Sequence, residues 1–507
     1  MNSSYRDLVK HSGIYGIGQV LSRLTSFLLL PVYTQFLEPA DYGCIAILDL
    51  THGILVLLIA TGMGAAVTRH HFEATSDTDR DTVWWTGLTF IGVVSTLIVL
   101  PVWLGRSVLA QVLLGPEYPD GSLLFSMALT TLWFSTIHGL PDAYLRVQKR
   151  SGLVVSLALM RLLFNVAVNV TLLSYGWGVL GILTGNLLAC CIVSITKVSI
   201  LIFNLGAYRF DRHVARKLWI FGAPLLLTSL LSLAMHQADR YFVRLNLDMH
   251  DVGIYSFAYT IGQGVNTILL GAFGAIWGVT MYDIAGSPNS RKLFARIFEC
   301  YVYGLLLLML GLSLFSKPLV ALMASPAFQP AAELIPVIAL AYLFFSMHSQ
   351  FKVPVFVKKK THMLVPASVA GVLVNVVGNY FLVPVWGAWA AAWVSVATFA
   401  VFSFTGLLIY RRYDRYPYRL ARIATVLVLV VATYVLYDVA VARSEVTIVS
   451  VTVAGAVWIC WAAVLAGPVV IRVYTARRDV NQNTVQDPSV TAESQKSDAA
   501  VHRASVY

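Results

Sequence analysis

Two arginines lie deep inside apolar segments of this 507-residue chain. Arg23 is near the middle of the stretch 12–37, about 17 Å from its start if the stretch is helical, and Arg161 lies in the inner half of the stretch 153–174. A guanidinium at the centre of a bilayer costs about 2.5–3.5 kcal/mol even on the scale taken from insertion experiments. We therefore expect both side chains to face a water-filled cavity; the alternative is a structural ion pair. Because a guanidinium is a planar fork that fits phosphate, such a cavity would bind an anion.

Further charged residues lie within apolar segments but nearer to their ends. Lys197 and Lys352 are within two turns of the predicted inner ends of their segments, where they are additional candidates for binding the anion. The simplest alternative for both lysines, and for Arg240 and Glu299, is that a long side chain extends along its helix to the membrane interface.

The sequence contains no motif for covalent or metal chemistry. We find no GxxxxGK[ST] phosphate loop, no GxSxG nucleophile motif and no His/Cys cluster with ligand spacing. The five cysteines lie in or at the edge of apolar segments and are expected to be small buried hydrophobic residues. We therefore predict no catalytic residues, no metal and no cofactor, and a protein that is not an enzyme.

The composition is that of a polytopic, all-α membrane protein. Hydrophobic residues make up 58% of the chain and charged residues 12%, about half the charged share of a typical soluble domain. The net charge of +11 does not indicate nucleic-acid binding, because most basic residues lie in short loops. Helical length and apolar runs predict about 14 transmembrane helices: 12–37, 45–68, 84–104, 122–145, 153–174, 178–204, 218–243, 252–282, 297–315, 332–357, 363–383, 387–410, 423–440 and 446–471.

The loops predict the orientation of these helices. With the N-terminus inside, about 25 Lys and Arg residues fall on the inner side and about 4 on the outer side. We therefore expect a multi-pass protein of the cell (inner) membrane with both termini in the cytoplasm. The first apolar stretch is too long for a cleavable signal and should remain as an anchor.

An internal repeat relates the two halves of the chain. A shift of 210 residues aligns the start of the second span (Asp41 with Asp251), the end of a basic inner loop (Arg150 with Lys360) and a polar pair in the next helix (Asn165 and Asn169 with Asn375 and Asn379). Because an even number of helices separates matched positions, the two halves have the same direction in the membrane. Packing between helices explains the asparagines more simply than a substrate role does.

These observations predict two pseudo-symmetric six-helix lobes facing each other across a central cleft. The expected units are the N-lobe (1–204), an inner linker (205–217), the C-lobe (218–410), two extra helices (411–474) and a disordered cytoplasmic tail (475–507). The segment 252–282 is long and glycine-rich, so we expect it to be bent or tilted.

The opening of the chain resembles a known family. A basic N-terminus, the tetrapeptide Gly13–Gly16, a long first helix and the segment Leu37–Gly43 are similar to the start of bacterial polysaccharide-export flippases. That superfamily also contains the multidrug/toxin extrusion antiporters and the lipid II flippases. The repeated Asn-x3-Asn helices strengthen the resemblance, which covers about residues 5–410.

The resemblance implies alternating access around a cationic cavity. The implied substrate is an oligosaccharide on polyprenyl pyrophosphate, moved from the inner to the outer leaflet; Arg23 and Arg161, with Lys197 and Lys352 at the inner mouth, would bind the pyrophosphate. If an ion gradient drives transport, Asp49 and Asp239 are the candidate coupling carboxylates. Implied partners are membrane lipids, a polysaccharide polymerase and glycosyltransferases; we expect a monomer.

Two other functions stay open on the sequence alone. An antiporter of the same superfamily for organic cations would need an acidic cavity, whereas the deep charges here are basic. A membrane-embedded polysaccharide polymerase or ligase would need a large outer loop, and the longest predicted outer loops, about 105–121 and 316–331, are short.

Overall fold

A computed structural model describes residues 29–60, 62–264, 266, 273–274, 277, 280–282, 284–286, 289–442 and 447–465. Within these residues the regular structure is helical. Arg23, most of the predicted first span and the predicted cytoplasmic tail lie outside the described residues, as does much of the segment in which we predict a bend.

The first half of the chain forms a bundle of long helices joined by short helices at its ends. Its helices are α1 (29–36), α2 (Pro39–Ala60), α3 (Met63–Glu73), α4 (Asp77–Leu104), α5 (Arg106–Leu113), α6 (Gly121–Ile137), α7 (Gly139–Val147), α8 (Ser151–Ser174) and α9 (Gly178–Asn204).

The second half follows the same order. Its helices are α10 (Arg212–Asn246), α11 (Met249–Gly262), α12 (Ser290–Leu314), α13 (Ser316–Met323), α14 (Ala331–Phe351), α15 (Val353–Val357), α16 (Val365–Tyr410), α17 (Leu420–Tyr437) and α18 (448–465).

Eleven helical segments of the described residues are long and apolar enough to cross a membrane. One of them, Thr361–Tyr410, includes α16 and contains two of the predicted spans. The two spans are separated at Gly387, where the backbone leaves the helical region (φ 62°). Two more predicted spans, the first and the eighth, run through residues that the structure does not describe. The architecture therefore agrees with about 14 transmembrane helices.

The 210-residue repeat is present in the folded chain. Helix α2 begins at Pro39 and α11 at Met249, while α5 and α13 have equivalent bounds at both ends. The two residues other than glycine with positive φ in the described chain are Lys149 (56°) and Lys359 (55°), again 210 residues apart. Equivalent loops in the two halves therefore make the same turn.

Helix α10 joins the lobes through its packing as well as through the chain. Near its start, Leu218 belongs to an apolar cluster of the first lobe that includes Trp84 and Tyr144. Farther along, Met235 packs against Gly371 of α16 in the second lobe. The preceding residues 205–211 are held on α4, where Trp85 donates to the carbonyl of Gly206. The described α10 therefore begins at Arg212, inside the segment predicted as linker.

The two extra helices pack on α12. Trp458 of α18 donates its indole N–H to the carbonyl of Leu307 at 3.0 Å, and Arg422 of α17 pairs with Glu299 at 3.0 Å. Glu299 is therefore a buried partner of an arginine, and the expectation that it extends alone to the interface is wrong. Cys300 and Cys460 are exposed, unlike the buried cysteines that the sequence predicts.

Candidate functional site

Arg161 lies in α8 with its side chain half-buried. None of the ion pairs among the described residues includes it. It lies within electrostatic range of two imidazoles, His52 of α2 and His138 at the junction of α6 and α7. Among the described residues, Arg161 therefore has imidazoles within electrostatic range and no carboxylate in an ion pair, which leaves its charge available to an anion.

Hydrogen bonds fix one ring nitrogen of each histidine. His52 Nε2 lies 3.3 Å from Ser135 Oγ, and His138 Nδ1 lies 3.0 Å from Ser194 Oγ. Each serine also donates to a backbone carbonyl, which leaves its oxygen free to accept from the ring. A neutral imidazole has one N–H, which each ring gives to its serine, so the guanidinium fork is the donor that remains for a phosphoryl oxygen. His52 has no motif around it, and sequence reasoning missed it.

Arg240 of α10 is a second cation between the lobes. Its guanidinium lies 4.9 Å from the centre of the Tyr259 ring and within electrostatic range of Asp49 and Tyr42 of the first lobe. Its Nε atom is buried and has no hydrogen-bond partner among the described residues. Arg240 is therefore directed into the contact between the halves, and the simple expectation of a side chain reaching the interface along its own helix is wrong.

Asp49 is exposed, and it lies within electrostatic range of Arg240 of the second lobe. On the same helix, Tyr42 contacts Thr260 at 3.3 Å, and Thr51 contacts Tyr241 of α10 at 3.0 Å. Asp49 is therefore accessible on α2 between two contacts that join this helix to the second lobe.

Lys197 has a carboxylate partner. Its Nζ lies 2.7 Å from Asp142 Oδ1 and 2.9 Å from Oδ2, and the lysine side chain is 6% exposed. The lysine is therefore held between α9 and α7. Its role in substrate binding stays a prediction, and that role would require an anion to compete with Asp142.

Lys352 follows α14 and is half-buried. Its ammonium lies 5.5 Å from the centre of the Phe356 ring, and no carboxylate of the described chain pairs with it. One turn earlier, His348 stacks on Phe402 with 3.8 Å between ring centres. Of the two predicted lysines, Lys352 is the one whose charge remains available.

Asp239 is fully buried inside the second lobe. It accepts hydrogen bonds from the Tyr255 hydroxyl, from Ser395 Oγ at 3.1 Å and from the backbone N–H of Arg240 at 2.9 Å. Asp239 is therefore enclosed within the second lobe, whereas Asp49 is exposed, and the two carboxylates occupy different environments.

The paired asparagines form different networks in the two lobes. In the first lobe, Asn165 donates to Asn186 at 2.6 Å, and Asn169 donates to the Tyr33 hydroxyl at 3.1 Å. In the second lobe, Asn375 and Asn379 are fully buried. There, Asn375 Nδ2 and Asn379 Oδ1 have no hydrogen-bond partner among the described residues. Asn169 Oδ1 in the first lobe likewise has no partner among the described residues, so both pairs contain buried polar atoms that packing alone does not satisfy.

Sequence and structure comparisons agree with this architecture. Residues 8–277 match the sequence profile of a family described as "Polysaccharide biosynthesis protein". "Lsg locus putative protein 1" of Haemophilus influenzae is 22% identical over 259 residues, which are 49% of this chain and 59% of that relative. The chain thus spans less than two thirds of the length of this curated relative.

Two solved structures share the fold over most of their length. "Lipid II flippase MurJ, inward closed conformation" gives a TM-score of 0.72 at 12% identity, covering 90% of this chain and 99% of that one. An inward-facing multidrug resistance MATE family transporter of the MOP superfamily gives 0.58 at 16% identity, covering 80% and 95%. At these identities the likeness establishes the fold.

Proposed function

Because the chain belongs to the polysaccharide biosynthesis protein family, we propose that it is a flippase for an oligosaccharide carried on polyprenyl pyrophosphate. It would move this lipid from the inner to the outer leaflet for synthesis of a cell-surface polysaccharide. The fold it shares with a lipid II flippase and with MATE transporters supports a transport mechanism.

The observation that carries the proposal is the environment of Arg161. A half-buried guanidinium in a membrane span, without a carboxylate partner among the described residues and with two imidazoles nearby, is costly unless an anion neutralises it. A pyrophosphate has several oxygens and can accept from the guanidinium fork, and the two neutral imidazoles add no negative charge that would oppose it. In the free protein, water would have to solvate the guanidinium.

Arg240 would supply the second lobe's contact to the pyrophosphate. Asp49 and Asp239 both lie within its electrostatic range, so an arriving anion would compete with these carboxylates for the guanidinium. Contacts from Arg161 in one lobe and Arg240 in the other would tie substrate binding to the separation of the lobes. Arg23 lies outside the described residues and remains a proposed member of the site, as Lys352 does at the inner mouth.

We propose Asp239 as the coupling carboxylate. Met235 of α10 and Gly371 of α16 are in contact. In the proposed topology, α10 and the first part of α16 run in the same direction. Four residues farther along each helix, Asp239 is therefore level with Asn375. A buried carboxylate beside unsatisfied amide atoms can hold a small cation or a proton. The repeat equivalent of Asp239 in the first lobe is Leu29, which confines this arrangement to the second lobe.

The charge of the loops supports the proposed orientation of the protein in the membrane. With the more basic loops in the cytoplasm, both termini are cytoplasmic and the protein lies in the inner membrane. The substrate would enter from the basic side, which includes Lys358, Lys359 and Lys360.

The proposal is tested by replacing Arg161 in cells that depend on this protein for surface polysaccharide. We expect Arg161→Ala to remove the polysaccharide and to accumulate the lipid-linked oligosaccharide on the cytoplasmic side, at unchanged protein level. Arg80→Ala is the matched control, because Arg80 pairs with Asp77 at a helix end. Normal export by Arg161→Ala at normal abundance would exclude the proposed site.

Two further measurements separate the rival functions. Purified protein in liposomes should translocate a fluorescent lipid-linked oligosaccharide without extending its sugar chain, whereas a polymerase or ligase would produce longer products. Overexpression should leave resistance to cationic drugs unchanged, whereas a drug antiporter would raise it.

A further inference from the structure

One end of the helix bundle is closed by contacts between the lobes. We call this end, which includes residues 31–43, 105–120, 244–253 and 315–330, the sealed face. Arg244 of α10 reaches from the second lobe to the end of α5 in the first. Its Nε donates to the carbonyl of Leu113 at 2.8 Å, and its terminal nitrogen donates to the carbonyl of Leu114 and to Glu117 Oε1.

The reciprocal contact is made by a neutral residue. Thr34 of α1 donates from its hydroxyl to the carbonyl of Met323 at the end of α13, at 2.7 Å. Thr34 and Arg244 are 210 residues apart, and so are their acceptors Leu113 and Met323. Each lobe therefore uses the same position to cap the same short helix of the opposite lobe, as a two-fold relation between the halves demands.

Beside the two caps, two helices cross so closely that no water fits between them. Where α2 crosses α11, a Cβ atom on Gly43 would lie 2.9 Å from the backbone nitrogen of Gly253 and would collide with the carbonyl of Met249. A Cβ atom on Gly253 would collide with the carbonyl of Pro39. The backbones are therefore in direct contact, and no water-filled path runs between them at this point.

We propose that the two caps are unequal latches of the sealed face and that this face opens first at Arg244. Arg244 and its partner Glu117 have side chains 12% and 46% exposed, so water can take over the charged groups as the contact breaks. Thr34 is fully buried, and breaking its bond would leave the carbonyl of Met323 without this cap in a dry contact, while the hydroxyl would turn back to the carbonyl of Leu30 in its own helix. The Thr34 side therefore acts as the hinge while the Arg244 side parts.

A native cysteine reports on the Arg244 side. Cys44 is fully buried on α2, next to Gly43, and within electrostatic range of Arg244 and Tyr118. Its repeat equivalent on α11 is Ile254, which is also buried. Cys44 and Ile254→Cys are therefore matched reporters for the two latches.

The experiment measures the rate at which a polar maleimide labels each reporter in the full-length protein in lipid nanodiscs. The Cys44 background carries alanine in place of the other four cysteines, and the Ile254→Cys background also carries Cys44→Ala. We expect Arg244→Ala to raise the Cys44 rate about tenfold, since one charge-assisted contact of this kind is worth about one order of magnitude. Thr34→Val should raise the Ile254→Cys rate by a smaller factor.

Arg106→Ala is the control, because Arg106 lies on the same face but donates to the carbonyl of Trp103 within its own lobe. Its Cys44 rate should equal that of the parent background. If Arg244→Ala proves unstable, Arg244→Lys keeps the charge but lacks the fork that spans two carbonyls, and we expect an intermediate rate. Correct folding is judged from monodisperse elution and the melting temperature.

An unchanged Cys44 rate in folded Arg244→Ala or Arg244→Lys protein would overturn the latch. An equal increase at both reporters would overturn the order of opening. The assay needs no substrate, so its outcome is independent of the proposed transport of a lipid-linked oligosaccharide.

Discussion

Gly43 and Gly253 touch across the two lobes, and each occupies the position that the 210-residue repeat assigns to the other. Small residues at a helix crossing let two backbones approach closely, which is how helices gain contact in a membrane. Because the pair lies on the pseudo-two-fold axis, one side chain added at either position separates the same two helices.

Replacing either glycine by alanine should force the sealed face apart. The added methyl meets backbone atoms that cannot rotate away, so we expect Gly43→Ala and Gly253→Ala to destabilise the closed state by about 1–3 kcal/mol. The Cys44 labelling rate should rise in Gly253→Ala protein. Gly64→Ala is the control, because a Cβ atom there has no neighbour within 4 Å and alanine favours a helix. Equal labelling of Gly253→Ala and Gly64→Ala protein would contradict the tight crossing.

The buried pair of Lys197 and Asp142 should behave as a structural unit. Removing one partner leaves an uncompensated charge, so we expect Lys197→Met and Asp142→Leu each to destabilise the protein by about 3–5 kcal/mol. The double variant should recover most of the melting temperature, because neither charge remains. Polysaccharide export measured in the same three strains then assigns the role of Lys197. Export restored in the double variant indicates packing, whereas export lost despite restored stability indicates substrate binding.

The sequence was sufficient to predict the architecture, because spans and repeats depend on local patterns. Apolar length identifies the helices, and the shift of 210 residues identifies the two halves, which the equivalent turns at Lys149 and Lys359 confirm. The boundary between the lobes was harder to predict. Leu218 packs into the first lobe although it belongs to the predicted second one, and that depends on tertiary contacts.

Partners of charged residues could not be predicted from one sequence. Lys197 and Asp142 are 55 residues apart and meet only because α7 and α9 are adjacent. Arg240 was expected to reach the interface on its own helix, but Tyr259 of the neighbouring helix α11 holds it between the lobes. The depth of Arg161 in its span, by contrast, is a local property, and this explains why it could be singled out before any contact was known.

Ion coupling should depend on Asp239 more than on Asp49. Asp239 is fully buried in a hydrogen-bonded network, whereas Asp49 is exposed and within electrostatic range of Arg240. A bound ion stabilises the folded protein by about 2.7 kcal/mol at a hundred times its Kd. We therefore expect the melting temperature of the wild type and of Asp49→Asn to rise by about a few degrees in the coupling ion relative to choline. The melting temperature of Asp239→Asn should not respond to the ion.

The coupling ion is identified by measuring the melting temperature at increasing sodium concentration and, separately, over a range of pH. If the melting temperature of Asp239→Asn still responds, the ion site lies elsewhere.

Arg240 should contribute to substrate affinity through its fork as well as its charge. We expect Arg240→Gln to weaken binding of a polyprenyl pyrophosphate in nanodiscs about tenfold to a hundredfold, since a charged hydrogen bond of this kind contributes about 1.5–3 kcal/mol. Arg240→Lys keeps the charge but lacks the planar fork, so its affinity should lie between those of Arg240→Gln and the wild type. Arg106→Ala should bind like the wild type, because Arg106 donates to a carbonyl of its own lobe.

A polyprenyl monophosphate should lose less affinity than the pyrophosphate on the same substitution of Arg240, because the monophosphate offers fewer oxygens to two arginines. If Arg240→Gln binds the pyrophosphate as tightly as the wild type does, the guanidinium does not contribute to substrate binding. Its role would then be limited to the contact with the Tyr259 ring and the compensation of the Asp49 charge, and the first lobe alone would have to hold the anion.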